Sequence, residues 1–250
     1  MYELGLYEKS MPNTLSFKEK LETVKATGFD FLEMSVDETD EKLARLEWTK
    51  EERLELVKTM YETGVSIRSM CLSGHRKYPF GSHDASVRER SMEIMEKAIE
   101  LADDLGIRVI QLAGYDVYYE EGDADTLEFF IDNLKKATLL AAQKGIVLGF
   151  ETMETPFMNT VEKSMRFVNL VDSPYLQVYP DSGNLKNASL EPGAKNVYED
   201  IELGKGHIVD TFLSIGVRRF TGEFWYVGQE NWLEDIHFAN KFLRSYFPEK

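Results

Sequence analysis

Four carboxylates stand at or near the ends of short apolar runs. Glu151 closes "IVLGFE", Asp181 closes "LQVYPD", Glu223 falls in "RRFTGE" and Glu33 lies within "FDFLEMSVDE". A carboxylate at the end of an apolar segment is costly to bury unless it is paired, protonated or bound to a metal. Several that converge repel one another, and a divalent cation relieves that repulsion. All-oxygen ligands suit Mg²⁺ or Mn²⁺, and an added histidine widens the choice to Zn²⁺ or Co²⁺. Taken singly, each acid reads equally well as the partner of a neighbouring Lys or Arg, and Glu33 as a residue that caps or orients a neighbour.

A second chemical cluster is the basic loop "CLSGHRKYPFG", where His75 stands beside Arg76 and Lys77. An imidazole and two cations suit a phosphate; a solvated basic loop fits the same residues. Cys71 lies within an apolar run and reads as core. His207 opens the short run "HIV", which places it at the opposite end of a strand from the acids and gives it a structural reading.

The elements that carry these residues follow a repeated pattern. "ATGFDFLEM", "ETGVSIRSM", "DLGIRVIQL", "QKGIVLGFE" and "SIGVRRFTG" each set a glycine before a short apolar run: Gly28, Gly64, Gly106, Gly145 and Gly216. Amphipathic stretches precede them. Val87, Ile94, Met95, Ala98, Ile99, Ala102 and Leu105 keep helical spacing, as do Phe130, Ile131, Leu134, Ala137 and Ala141. Glycine after a helix takes the left-handed cap conformation, and the run beyond it is a strand. The pattern predicts strands near 3–8, 29–36, 65–73, 107–114, 146–152, 176–181, a stub at 207–209, and 218–225.

Strands alternating with helices imply a parallel sheet covered by helices. Eight such units in 250 residues predict a single (β/α)₈ barrel domain over 1–250, in which the strand-end acids would share one face. Alternation puts Val147, Gly149 and Glu151 on one side of their strand, with Gly149 leaving room beneath Glu151. A doubly wound sheet is the second architecture, but it would want a glycine-rich phosphate loop, and neither GxGxxG nor GxxxxGK[ST] occurs. A net charge of −15 opposes a nucleic-acid partner. No apolar run approaches the ~18 residues of a membrane span, and the opening "MYELGLYEKS" carries no signal-peptide pattern. One cysteine rules out a disulfide framework and points to a cytoplasmic location.

Longer segments sharpen the reading. "LGLYEKSMP", "EMSVDETDEKLARLEW", "SMCLSGHRKYPFGS", "IQLAGYDVYYE", "ETMETPFMN" and "YPDSGNL" resemble the L-xylulose 5-phosphate (L-ribulose 5-phosphate) 3-epimerase family, also described as hexulose-6-phosphate isomerases, within the xylose isomerase-like barrels. The resemblance implies a divalent metal held by Glu, Asp, His and Glu. Glu151, Asp181 and Glu223 match three of these. The histidine should follow a "GHIV" segment in a His-x-Lys context; here "GHIV" is present and the continuation is not. A related branch touches substrate with a histidine three residues after the metal Asp; this chain has Asn184 there, which the resemblance makes a substrate-binding residue beside His75 and Arg76. A homodimer is implied by analogy with other barrels of the superfamily.

The missing continuation agrees with the spacing. Glu151 and Asp181, one strand apart, are separated by 30 residues, whereas Asp181 and Glu223, two strands apart, are separated by only 42. Loops and helices rarely shrink so far, so the spacing predicts that roughly 20 or more residues are missing between Val209 and Asp210.

The favoured reaction is 3-epimerisation of a ketopentose 5-phosphate. The C3 hydrogen is acidified by the C2 carbonyl, and a cation bound to O2 and O3 would stabilise an enediolate. Glu151 and Glu223 would take and return the proton on opposite faces, with Asp181 as a ligand. Three other readings stand beside it. An aldose–ketose isomerase acting on a hexulose 6-phosphate would use the same metal. A DNA-repair endonuclease of the same superfamily would want more metals and histidines. A sugar-phosphate binding protein would have lost its metal site.

Overall fold

The structure, a computed structural model, describes residues 2–190, 212–213 and 216–247. The expected break between Val209 and Asp210, the stub at 207–209 and His207 lie outside these residues. Among the described residues there are seven strands: β1 Glu3–Tyr7, β2 Phe31–Val36, β3 Ser66–Leu72, β4 Val109–Ala113, β5 Val147–Glu151, β6 Leu176–Tyr179 and β7 Arg219–Gly222. Their order in the sheet is β6-β5-β4-β3-β2-β1-β7. Helices alternate with them: α1 Phe17–Ala26, α2 Asp40–Leu43, α3 Lys50–Thr63, α4 Ala85–Leu105, α5 Ala124–Gln143, α6 Val161–Val171, α7 Ser182–Ala188 and α8 Trp232–Arg244. No helix among the described residues is long and apolar enough to cross a membrane.

The helices start and stop where local chemistry directs. Ser16 and Glu19 form a reciprocal capping box on α1, and Thr49 and Glu52 form one on α3. Gly64 and Gly106 close α3 and α4 in the left-handed conformation. Gly28, Gly145 and Gly216 also have positive φ, so all five glycines of the repeated pattern serve as that pattern requires.

The chain divides into two compact units, one comprising Met1–Ser35, Thr49–Ser69 and Lys205–Lys250, the other Val36–Trp48 and Met70–Gly204. In the first, β1 pairs in parallel with β2 and with β7. Its least expected feature is a buried ion pair. Lys20 of α1, only 2% exposed, donates to the Glu8 carboxylate at 2.7 Å. The other Glu8 oxygen accepts from the backbone N–H of Ser35 at 2.9 Å. Glu8 thereby fixes the tight turn after β1, Glu8–Ser10, against the end of β2.

In the second unit, β5 pairs in parallel with β4 and β6. Phe150 of β5 is fully buried among Phe130 of α5 and Phe167 of α6, at ring separations of 6.1 and 6.3 Å. That aromatic cluster commits Phe150 to the helix side and leaves Gly149 and Glu151 on the other side.

Removing one member of a buried ion pair strands the other charge. Lys20→Met is expected to cost about 3–5 kcal/mol, read as a lowered urea midpoint at unchanged slope. A loss under about 1 kcal/mol, the range of exposed pairs, would contradict the role given to Glu8.

Candidate active site

Glu151 is the last residue of β5 and is half-buried. Its register partners are Ala113 on β4 and Tyr179 on β6. The space that Gly149 leaves is taken by the Tyr179 side chain, which a Cβ at position 149 would meet at 3.2 Å.

Asp181 lies just beyond β6, which ends at Tyr179, two residues sooner than the sequence pattern predicts. Pro180 has no N–H for the ladder, and Asp181 becomes the N-cap of α7, its Oδ1 accepting from the Asn184 N–H at 2.6 Å. A fully buried threonine joins this cap to β5. The Thr152 hydroxyl accepts from the Asp181 backbone N–H at 2.9 Å, and the Thr152 carbonyl accepts from the Asn184 side-chain amide at 2.8 Å. Asn184 is therefore a brace between the two strand ends. The result is that ligand oxygens of Glu151 and Asp181 lie within 4.8 Å of each other. Two carboxylates at that separation can supply part of an oxygen-rich divalent-cation shell, so the donor chemistry fits the expected metal. Thr152 carries no periodic or compositional signal; only its place beside Glu151 hints at its role.

Glu223 belongs to the first unit and directly follows β7, outside the strand. Its carboxylate accepts from the Trp225 indole N–H at 3.1 Å. The segment is clamped to the turn that Glu8 fixes: the Ser10 hydroxyl donates to the Phe224 carbonyl at 2.6 Å, and the Tyr226 N–H donates to the Lys9 carbonyl at 2.8 Å. The Lys9 ammonium sits 4.7 Å from the Trp225 ring centroid. Glu33 is buried in β2 and accepts from the Ser69 hydroxyl at 2.5 Å, in keeping with an orienting role. Cys71 is buried in β3.

The basic loop after β3 forms the tight turn Gly74–Arg76. His75 is not an open cation there. It is 5% exposed, its Nε2 contacts the Ser91 carbonyl of α4 at 3.1 Å, and its ring lies 4.5 Å from Phe80. Burial pushes its pKa down to about 4. The imidazole is neutral near pH 7 and ties the turn to α4, so the expectation of a phosphate contact in this loop rests on Arg76 and the exposed Lys77. The Arg76 guanidinium lies over the Tyr118 ring, 4.8 Å from its centroid.

Comparison with known proteins decides the family. Residues 21–244 match the profile of the xylose isomerase-like TIM barrel. The chain is 48% identical over 206 residues to the L-ribulose-5-phosphate 3-epimerase UlaE of Escherichia coli O139:H28, covering 82% of this chain and 71% of that one. It is 44% identical over 216 residues to the putative L-ribulose-5-phosphate 3-epimerase SgbU of Haemophilus influenzae, covering 84% and 74%. The chain belongs to the L-ribulose-5-phosphate 3-epimerase family of TIM barrels. Solved structures of a D-psicose 3-epimerase and an L-ribulose 3-epimerase share the fold at 17% and 18% identity, with TM-scores of 0.78 and 0.75. The first is covered over 97% of this chain and 98% of that one, the second over 97% and 93%.

For this family member the buried His75 has a consequence in acid. Its folded pKa of about 4 lies below the ordinary value of 6.5, so the unfolded chain binds the proton first. The stability it supports is fully present above that ordinary value and is lost as pH falls toward the folded one, by about 3 kcal/mol. His75→Gln should flatten the pH dependence of the unfolding free energy across that window. Equal slopes for both proteins would refute the assignment.

Proposed function

We propose that this protein interconverts L-xylulose 5-phosphate and L-ribulose 5-phosphate by inversion at C3, with Glu151 and Glu223 as the two acid–base carboxylates. The observation that carries the reading is the Glu151–Asp181 pair held at adjacent strand ends, in a chain nearly half identical to an L-ribulose-5-phosphate 3-epimerase. Glu223, at the end of β7, supplies the third carboxylate. Strand-end residues of a barrel face its C-terminal mouth, which supports placing the three on one substrate.

In this reading one glutamate takes the C3 proton, and the electron pair left behind delocalises into the C2 carbonyl as an enediolate. The other glutamate returns a proton from the opposite face. The direction of reaction sets which acts first. No redox change occurs, and each carboxylate ends the cycle with its proton reset by solvent. Glu151, Asp181 and Glu223 would hold a divalent cation (Mn²⁺, Mg²⁺, Zn²⁺ or Co²⁺) that, when bound, polarises the carbonyl and lowers the cost of the developing negative charge. Asp181 cannot serve as a third base without breaking the cap it forms with Asn184. Arg76 binds the substrate, with His75 setting its turn and Asn184 holding Asp181. A homodimer in the cytoplasm completes the reading, by analogy with related barrels and on the single cysteine.

Two measurements test it. Glu151→Gln and Glu223→Gln should each slow deuterium wash-in at C3 by at least ~10²-fold while far-ultraviolet dichroism stays unchanged. Near-normal wash-in by either variant removes that residue from the acid–base pair, and exchange confined to C1 would point to an aldose–ketose isomerase. Dialysis against a chelator should abolish epimerisation, and Mn²⁺ should restore it; full activity after metal removal would exclude the cation.

A further inference from the structure

Several buried polar atoms of the second unit have no hydrogen-bond partner, among them the Arg76 Nε and the Tyr115 hydroxyl. A folded chain carries few such atoms, because a buried donor without an acceptor has lost water and gained nothing. These two are neighbours. Tyr115 is 3% exposed, lies two residues past β4 and packs against Tyr118, the ring centroids 5.1 Å apart and the planes tilted by 54°. The Tyr118 ring in turn carries the Arg76 guanidinium. The Tyr115 hydroxyl therefore sits close enough to Arg76 for the two to interact electrostatically, while neither the hydroxyl nor the Arg76 Nε meets a partner at full hydrogen-bond geometry. Both are donors, and both lie on loops at the C-terminal ends of strands, β3 and β4.

The backbone is shaped to bring Tyr115 there. Gly114 lies against the end of β5, where a Cβ would stand 2.5 Å from the Glu151 carbonyl oxygen. No other residue lets the chain leave β4 so close to Glu151. A tyrosine buried at this position for packing alone would be served as well by phenylalanine, without an unsatisfied hydroxyl.

We propose that Tyr115 is a substrate-binding residue: its O–H and the Nε–H of Arg76 donate together to one oxygen of the phosphorylated ketose. The inference rests on the sugar-phosphate reading above. Burial pushes the Tyr115 hydroxyl well above the ordinary phenol range, so it stays protonated and acts as a donor, never as a base. The oxygen belongs either to the phosphate or to the sugar, and the chemistry of recognition is the same for both.

Tyr115→Phe removes the O–H and keeps the ring. It should lower kcat/KM for L-ribulose 5-phosphate by ~10–100-fold, the range for a hydrogen bond with a charged partner. Because the hydroxyl has no protein partner, Tm should stay level or rise. Arg76→Lys keeps the charge and loses the Nε–H. The double variant should then lose less than the product of the single losses, as two donors to one atom must. A loss confined to the phosphorylated sugar assigns the oxygen to the phosphate; a loss shared with unphosphorylated L-ribulose assigns it to the sugar. Activity of Tyr115→Phe within about two-fold of wild type would overturn the proposal. So would a loss matched by a fall in Tm, or single losses that simply multiply. A wild-type protein inactive on both ketose phosphates would instead overturn the reading of the reaction itself.

Discussion

Two carboxylates with oxygens inside 4.8 Å are the constraint around which the second unit is built. At an effective dielectric constant of about 20, two unit charges at that distance repel by about 3 kcal/mol. The chain cannot relax this by letting Asp181 swing away. Thr152 holds the Asp181 backbone, Asn184 ties Thr152 to the start of α7, and the Asp181 carboxylate caps the same helix. Phe150, locked among Phe130 and Phe167, prevents β5 from rotating to turn Glu151 outward. A divalent cation between the two carboxylates would relieve that repulsion, as would a protein cation or protonation of one of them.

The first unit solves a different problem by different means. Glu223 is exposed on a segment beyond the last strand, where no ladder hydrogen bonds hold it. Its backbone is fastened to the turn after β1, which is anchored by Glu8. A fully buried carboxylate is a strong anchor because it must keep its partners: Lys20 and the Ser35 N–H compensate its charge, and moving the turn would expose the pair to uncompensated burial. Hydroxyl and amide bonds set the geometry in one unit, and a buried charge pair sets it in the other.

The architecture was legible because it is written locally. Each glycine before an apolar run signals a left-handed cap, and all five have positive φ. The periodicity of Val87–Leu105 matches the buried face of α4, where Ile94, Met95, Ala98, Ile99, Ala102 and Leu105 are all covered. Glu151 at the end of β5 was legible by the same logic, whereas Asp181 and Glu223 fall just beyond their strands. What was not legible depends on contacts between residues distant in sequence. His75 reads as a cation beside Arg76 until α4 is seen to cover it. Asn184 reads only as a substrate contact, and nothing near it in sequence announces the bond of its amide to Thr152. Lys20 reads as an ordinary polar position of α1, since nothing in its neighbourhood in sequence announces Glu8 as its partner. Tyr115 reads as one of several aromatics in "GYDVYYE", and only its burial separates it from Tyr119, which is exposed.

Thr152 has a consequence for how such a site can be altered. The separation of Glu151 and Asp181 is set by a residue that is no ligand. Ionic radius and preferred coordination number differ among divalent cations, and selectivity follows cavity size and rigidity as much as ligand identity. A chain that needed a different cation could keep every carboxylate and change only residue 152. In the proposed site, metal preference would thus have a determinant outside the acid–base carboxylates, open to selection on its own.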